Sequence, residues 1–243
     1  MRAYPGLLAA AVSASFAASA LAQEAVPAKK WKDAAELSYV QTSGNSKSST
    51  LSAKNLFNYD WERAALELAA AGLGTESRDS VTAEQYSASE KASLKLPGKN
   101  YTFEKGGWSK DRFAGIKSRY DLGLGVGRNL LDLAKDKLYA EAGGGYGFED
   151  RLLSEDQSFG TYRAYAKYVR TLSPASNLAQ DMEYLGNLKE PRGYRMNAES
   201  SLTAAISTHF SLKAAYLWKF VNSPPDGFMK TDTTTSMSII VNY

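Results

Sequence analysis

The feature that most constrains this chain is an alternation of apolar and polar residues with a period of two, repeated from about Asp33 to the last residue. Each alternating segment is about ten residues long and ends at turn-forming residues. The clearest segment is 116–127, in which Leu122, Leu124 and Val126 alternate with glycines. A period of two indicates strands with two unlike faces, whereas amphipathic helices repeat about every 3.6 residues.

About twelve segments of this kind follow one another, an even number. An open sheet in lipid leaves unpaired backbone groups at its edges, so sheets that span a membrane close on themselves. The sequence therefore predicts an all-β chain, a single closed antiparallel up-and-down transmembrane β-barrel of about 12 strands. An even count places both termini at the periplasmic end. Short turns such as Pro97–Asn100 and Asn129–Asp136 then alternate with outer loops such as Glu149–Ser158.

The first residues have the parts of a secretory signal peptide. A single basic residue, Arg2, precedes an apolar stretch from Leu7 to Leu21, and Ala20-Leu21-Ala22 supplies the small residues of a cleavage site. The pattern predicts a signal peptide over residues 1–22, a short periplasmic segment over 23–32 and an outer-membrane barrel over 33–243. We expect export through the periplasm to the outer membrane of a Gram-negative-type bacterium.

Three features favour a membrane barrel over a secreted soluble β protein of lipocalin or sandwich type, whose strands also alternate. Tyrosine and tryptophan lie near the segment ends, as at Tyr59 and Trp218, where they would form interfacial girdles. The face opposite the apolar residues is polar or glycine. The last segment ends at Tyr243, which resembles the signal that the bacterial outer-membrane assembly machinery recognises. Outer-membrane lipids and that machinery are the expected partners.

Glu90 does not fit the pattern, because it falls on the apolar face of its segment. A charge on the lipid face is unfavourable by up to a few kcal/mol at the bilayer midplane. The sequence therefore predicts a bulge at Glu90, or a position near the lipid headgroups.

The composition excludes several classes of function. Lys+Arg 29 and Asp+Glu 26 are near balance and scattered along the chain, so nucleic acid is not an expected partner. With Cys 0, disulfides, thiol nucleophiles and zinc-thiolate sites are excluded. No cofactor and no metal are expected.

A family resemblance rests on the stretch Lys110–Ile116, followed by Arg119-Tyr120 and the alternating Gly123, Gly125 and Gly127. Supporting motifs are Thr42-Ser43-Gly44-Asn45 in the first hairpin and Leu138, Glu141, Gly143, Gly145 and Tyr146 in a later strand. Over essentially the whole mature chain these motifs resemble the YdiY-like family of salt-induced outer-membrane proteins, a domain of unknown function. The resemblance implies a small outer-membrane β-barrel, no catalytic residues and, by name, a link to salt stress.

Catalysis has few candidate residues in this sequence. The only histidine, His209, falls at a predicted periplasmic turn with no acid near it in sequence, and is interpreted as a surface residue. Glu149-Asp150 and Glu155-Asp156 bracket an outer loop and offer hard oxygen ligands, but acids in loops are more often solvated. The protein is predicted not to be an enzyme. A lipid-modifying or proteolytic outer-membrane enzyme is the alternative from that class.

The inward face of the predicted barrel is where the composition bears on function. The candidate lumen-lining residues are Arg119, Asp121, Glu141, Arg163, Lys167, Arg195, Glu199, Lys213 and Lys219. Basic residues outnumber acidic ones in this set. An open lumen would therefore be a narrow, weakly anion-favouring, porin-like channel for small ions or solutes, or an envelope component linked to salt tolerance. If these side chains instead pair across the lumen, they form a charge plug in a closed structural barrel.

Overall fold

A computed structural model of the chain describes residues 30–43, 48–77, 80–111, 116–151, 155–223 and 230–243. The strands are β1 (Trp31–Ser43), β2 (Ser48–Asp60), β3 (Ala64–Ser77), β4 (Ser80–Leu96), β5 (Asn100–Asp111), β6 (Ile116–Asp132), β7 (Asp136–Arg151), β8 (Gln157–Ser173), β9 (Ser176–Asn187), β10 (Arg195–Ala205), β11 (Phe210–Val221) and β12 (Thr231–Asn242). A short 3₁₀ turn, Pro97–Lys99, joins β4 to β5. No helix within these ranges is long and apolar enough to cross a membrane. The predicted signal peptide lies outside the described residues.

The twelve strands form one closed sheet. Each strand pairs antiparallel with its neighbours in sequence, and β1 pairs with β12 to complete the ring. At this closing seam Ser38 lies opposite Ser238 and Leu37 opposite Ile239, so both strands keep the same inward and outward order. Closure leaves no strand edge open to lipid. The predicted closed antiparallel up-and-down barrel of 12 strands is confirmed.

The short connections lie at the end of the barrel that carries residue 30 and the C-terminus. They are residues 61–63, 97–99, 133–135, 174–175 and 206–209. Strands run from 11 residues in β10 to 17 in β6, longer than predicted, because tilted strands need more residues to cross a given height. Two predicted connections are therefore wrong in part. Asn129–Asp132 belongs to β6, and Glu149–Arg151 belongs to β7 rather than to an outer loop.

The outward faces of the strands are apolar. Leu124, Met237 and Ile239 are among the exposed large hydrophobic residues, together with rings such as that of Tyr120. In a soluble barrel of the lipocalin type such residues fill the interior, whereas a lipid-embedded barrel directs them outward. The outer surface therefore has the polarity that a membrane barrel requires, which is the reverse of the soluble alternative.

Glu90 lies on this outward face, in β4. It is opposite Leu68 in β3 and Gly106 in β5, and both ladders continue through these pairs without a register shift. Of the two alternatives predicted for Glu90 the bulge is therefore wrong, and a position near the lipid headgroups stays a prediction. The carboxylate extends over Gly106, where a Cβ atom would lie 2.8 Å from Glu90 Oε1, so the glycine leaves the space that this side chain occupies.

Candidate functional site: the charged lumen

All nine charged residues proposed from the sequence as lumen-lining lie on the inward face of their strands. They are Arg119, Asp121, Glu141, Arg163, Lys167, Arg195, Glu199, Lys213 and Lys219. The alternation of strand side chains explains the placement, because the apolar residues between them face outward. The structure brings several of these residues into contact with one another and with further charges that the sequence analysis did not single out.

Glu141 is the centre of the largest group of ion pairs. Its side chain is 1% exposed and accepts hydrogen bonds from Lys91 and from Arg163 Nη1, the latter at 2.7 Å. Tyr101 donates its hydroxyl to the same carboxylate at 2.8 Å. Arg163 Nε then lies 2.5 Å from Glu183 Oε1. This chain of contacts, here called the Glu141 network, reaches from β4 to β9.

Two smaller groups of ion pairs line other parts of the wall. Arg119 holds Asp121 with two bonds of 2.8 Å and lies 3.5 Å from Glu149 Oε2. Lys213 Nζ lies 2.9 Å from Glu199 Oε1. The expectation that Glu149 is a solvated acid of an outer loop is wrong, because Glu149 is 4% exposed within β7 and faces the lumen. Strand β7 continues past the point where its sequence begins to look like a loop.

The inward-facing charges are nearly balanced. Among the described inward-facing residues that are buried or half-buried, the basic ones are Lys54, Lys91, Lys105, Arg119, Arg163, Lys167, Arg195, Lys213 and Lys219. The acidic ones are Glu36, Glu67, Asp121, Glu141, Glu149, Asp181, Glu183 and Glu199. The basic surplus inferred from the sequence therefore shrinks, because most of the residues missed there are acids. Each missed residue alternates along its strand with residues that face outward, as Glu183 does with Met182. That alternation was the sequence signal that could have placed them on the inward face.

One part of the wall has almost no side chains. Its inward residues are Gly123, Gly125 and Gly127 in β6 and Gly143, Gly145 and Gly147 in β7, here called the glycine wall. Aromatic rings from β5 lie over part of it, since a Cβ at Gly125 would be 2.4 Å from Phe103 Cζ and one at Gly127 would be 2.2 Å from Tyr101 Cζ. Lys91 Nζ lies 4.9 Å from the centre of the Phe103 ring. The glycines thus give room to the side chains that reach Glu141.

The wall at the closing seam is built differently. Here the inward side chains of β12, β1 and β2 include short hydroxyls around Glu36, namely Ser38, Ser52 and Ser238, beside Lys54 and the apolar Leu56 and Ile240. This part is called the seam wall. Ser38 Oγ and Ser52 Oγ are 2.7 Å apart, and Ser238 Oγ donates to Glu36 Oε1 at 2.6 Å. Glu36 Oε2 is buried and has no hydrogen-bond partner among the described residues. These hydroxyl groups therefore find their hydrogen-bond partners within the wall.

The residues considered for catalysis are not assembled into a site. His209 lies in the exposed connection between β10 and β11, with Nδ1 2.9 Å from Thr208 Oγ1. No carboxylate forms an ion pair with His209 within the described ranges. In the same part of the chain, no group of three or more histidine or acidic side chains is placed to hold a metal ion.

Solved structures with a similar fold are barrels. The NanC porin structure aligns with a TM-score of 0.61 at 7% identity, over 85% of this chain and 98% of that one. The translocator domain of the autotransporter NalP from Neisseria meningitidis aligns with a TM-score of 0.55 at 13% identity, over 88% of each chain. The KdgM porin in complex with disordered oligogalacturonate gives 0.52 at 10% identity, over 86% and 99%. These likenesses show a shared fold, and with the apolar outer surface they support an outer-membrane location.

Sequence relatives agree with the resemblance drawn from the motifs. The chain is 29% identical over 204 residues to a protein of Escherichia coli (strain K12) named "Uncharacterized protein YdiY", covering 83% of this chain and 79% of that protein. Residues 35–243 match the family described as "Protein of unknown function, DUF481". This match covers every strand apart from the first four residues of β1. The chain belongs to the DUF481 family of proteins of unknown function.

Proposed function

We propose that this protein is a non-enzymatic outer-membrane barrel that forms a narrow channel for small ions or polar solutes. The observation that carries the proposal is the polar inner face of a closed barrel whose outer face is apolar. Charged, hydroxyl and glycine residues line most of the inside, beside a few buried apolar residues such as Leu56 and Leu217, and water can follow a polar surface where lipid cannot. Several neighbours in fold are named porins, and one of them was solved in complex with oligogalacturonate.

The near balance of inward charges predicts weak ion selectivity. Rings of one charge sign select ions of the other sign, whereas paired opposite charges largely cancel. The small basic surplus that remains favours anions slightly. Arg119 and Arg163 are the candidates for that bias, because both line the inner face and their side chains are 13% and 14% exposed, whereas Lys167 is only 1% exposed.

A closed structural barrel is the second candidate, and one observation favours it. Lys91 in β4 reaches Glu141 in β7 across the two intervening strands, and the Glu141 network continues to β9. Side chains that bridge this far reduce the space left for a solute. In this form the protein would act through its outer loops or its lipid-facing wall.

Further parts of the proposal concern the export of the protein, its insertion in the outer membrane and its physiological role. We propose export through the periplasm directed by the signal peptide at residues 1–22, and insertion by the outer-membrane assembly machinery through β12 and the following Tyr243. A contribution to salt tolerance is proposed from the family resemblance. Growth of a deletion strain in high salt, with and without the plasmid-borne gene, tests it.

The decisive experiment is single-channel recording of residues 23–243, refolded and inserted in a planar bilayer under a salt gradient. We expect small current steps with a reversal potential slightly on the anion side. Arg163→Gln is expected to move that potential toward the cation side, while the outward-facing Glu104→Gln leaves it unchanged. Silence from protein shown to be folded and inserted would overturn the channel and support the closed barrel.

A further inference from the structure

The lipid-facing side of β5 is polar, whereas that of the next strand is apolar. Between Asn100 and Trp108, the outward residues of β5 are Thr102, Glu104 and Gly106. On the same rungs, β6 directs to the lipid three residues that are each at least 59% exposed, Leu122, Leu124 and Val126. From β4, the Glu90 side chain extends over Gly106. These four residues, Glu90, Thr102, Glu104 and Gly106, are here called the polar stripe.

The depth of Glu104 follows from its place between the two ends of β5. Trp108 lies opposite Tyr120 in the outer aromatic girdle, and Asn100 begins the strand at the periplasmic end. Glu104 is four residues from each of them. A tilted strand rises about 2.5 Å per residue along the membrane normal, so Glu104 lies about 10 Å from either end of this span. Because the apolar band of such barrels is about 25 Å tall, Glu104 lies near mid-membrane depth.

Other polar residues on the outward face have partners within this chain. Asn55 donates to Asp33 Oδ1 at 2.8 Å, and Ser200 donates to Gln180 Oε1. In the part of the chain that the structure describes, no side chain forms a hydrogen bond or an ion pair with Glu90 or Glu104. Ionisable groups inside a membrane are costly alone and pair with groups of opposite charge. The polar stripe therefore lacks a partner that supplies a positive charge.

We infer that the polar stripe is a docking surface for a membrane-spanning segment of another protein, one that carries an arginine or lysine at mid-membrane depth. Because Gly106 has no side chain, the Glu90 carboxylate lies over β5, next along the strand to Glu104. The cation of the partner binds these two carboxylates through charge-assisted hydrogen bonds. The surface faces lipid and not the lumen, so the inference goes beyond the proposed channel and does not depend on conduction.

Depth decides which occupant can supply the positive charge. A lipid ammonium group lies in the headgroup region, about 10 Å from Glu104. A hydrated metal ion does not enter the hydrocarbon. A second copy of this chain also fails, because the outward-facing basic residues of its described strands lie near strand ends, as Lys110, Arg128 and Arg170 do. A segment of a different protein can carry its cation at the required depth.

The test uses a synthetic transmembrane helix of leucine and alanine with one arginine at its centre. The matched control peptide has citrulline in that position, which has nearly the same shape and no charge. A central residue lies at mid-membrane depth in either orientation of the helix. The refolded barrel, residues 23–243, is reconstituted in phosphatidylcholine vesicles, and energy transfer from its tryptophans to a dansyl group on the peptide measures binding. We expect the arginine peptide to bind about tenfold more tightly, the effect of one charge-assisted contact.

Two variants and a control assign this preference to the polar stripe. Glu104→Gln is expected to abolish the preference for arginine, and Glu90→Gln to reduce it, because each removes one carboxylate. The control is Asp33→Asn, which removes another outward-facing acid, bonded to Asn55 near the periplasmic end of β1, and leaves the preference unchanged. Heat-modifiable migration on a gel verifies that each variant is folded.

The outcomes separate this inference from the channel proposal. Equal affinities of the two peptides, or a preference for arginine that survives both glutamine variants, would overturn the docking surface. Energy transfer between barrels labelled at an introduced cysteine, observed without peptide and lost in Glu104→Gln, would assign the surface to a second copy and overturn it as well. A preference that is lost in Glu104→Gln and kept in Asp33→Asn supports it. Conduction is measured in a bilayer without peptide, so neither proposal decides the other.

Discussion

The glycine wall and the seam wall line the same lumen by opposite means. In the seam wall, short hydroxyl side chains bond to one another and to Glu36. In the glycine wall the strands contribute almost no side chains, and rings and charges from neighbouring strands lie over the backbone, as Phe103 does at Gly125. The polar groups of the seam wall find their hydrogen-bond partners on neighbouring strands. The glycine wall is covered by side chains from residues that are far away in the sequence.

This difference suggests where the barrel tolerates change. A local hydroxyl pair loses one contact when it is altered, because its partners are few and small. The side chains over the glycine wall share partners, so Glu141 connects Lys91, Tyr101 and Arg163 in a single network. An alteration there leaves several buried groups without partners at once. The predictions below compare matched changes in the two walls, from the largest expected effect to the smallest.

The largest difference is expected between two conservative changes of a buried glutamate. Glu141→Gln removes the charge that compensates Lys91 and Arg163, and breaking a buried pair in this way costs about 3 kcal/mol of unfolding free energy. Glu36→Gln in the seam wall keeps the acceptor for Ser238 and alters an oxygen without a hydrogen-bond partner among the described residues, but it removes the charge opposite Lys54 in β2. We therefore expect a smaller loss, of about 1–2 kcal/mol. Urea titration of the refolded barrel, followed by tryptophan fluorescence, measures both.

Equal losses for the two variants would contradict the distinction between the walls. A larger loss for Glu36→Gln would reverse it and show that the seam carries the more important charge. Repeating the titration in high salt adds a further check, because screening weakens solvent-accessible ion pairs more than buried ones. The cost of Glu141→Gln is expected to change little with salt.

The sequence predicts the barrel well because its evidence is local. Alternation along a strand such as β6 indicates which residues share a face, and the even number of such strands indicates that the sheet closes into a barrel. The pairing of Lys91 with Glu141 depends on contacts between residues 50 apart in sequence, and it follows only from the register of four strands. Glu149 was misplaced for a related reason. Its acidic neighbours resemble a loop, and only pairing with β6 shows that the strand continues.

Within the glycine wall, the second prediction compares two alanine substitutions. A Cβ at Gly145 would lie 2.3 Å from the backbone oxygen of Leu122, which cannot move without distorting the ladder. Gly145→Ala is therefore expected to lower the unfolding free energy by about 1–3 kcal/mol. Gly123→Ala places its Cβ 3.5 Å from the nearest atom, the oxygen of Gly144, and is expected to be neutral or slightly stabilising. Urea titration distinguishes them, and a destabilised Gly123→Ala with a tolerated Gly145→Ala would refute the packing argument.

The smallest effect is expected in the seam wall, where the hydroxyls of Ser38 and Ser52 lie 2.7 Å apart and both residues are buried. Ser38→Ala or Ser52→Ala alone leaves the other hydroxyl without this partner and costs about 1 kcal/mol. The double variant removes both polar groups together, so its cost is expected to be smaller than the sum of the single costs. A double-mutant cycle in urea measures this coupling energy. Additive costs would show that water replaces the lost partner at once, and the seam wall would then owe its stability to solvent rather than to its own hydroxyls.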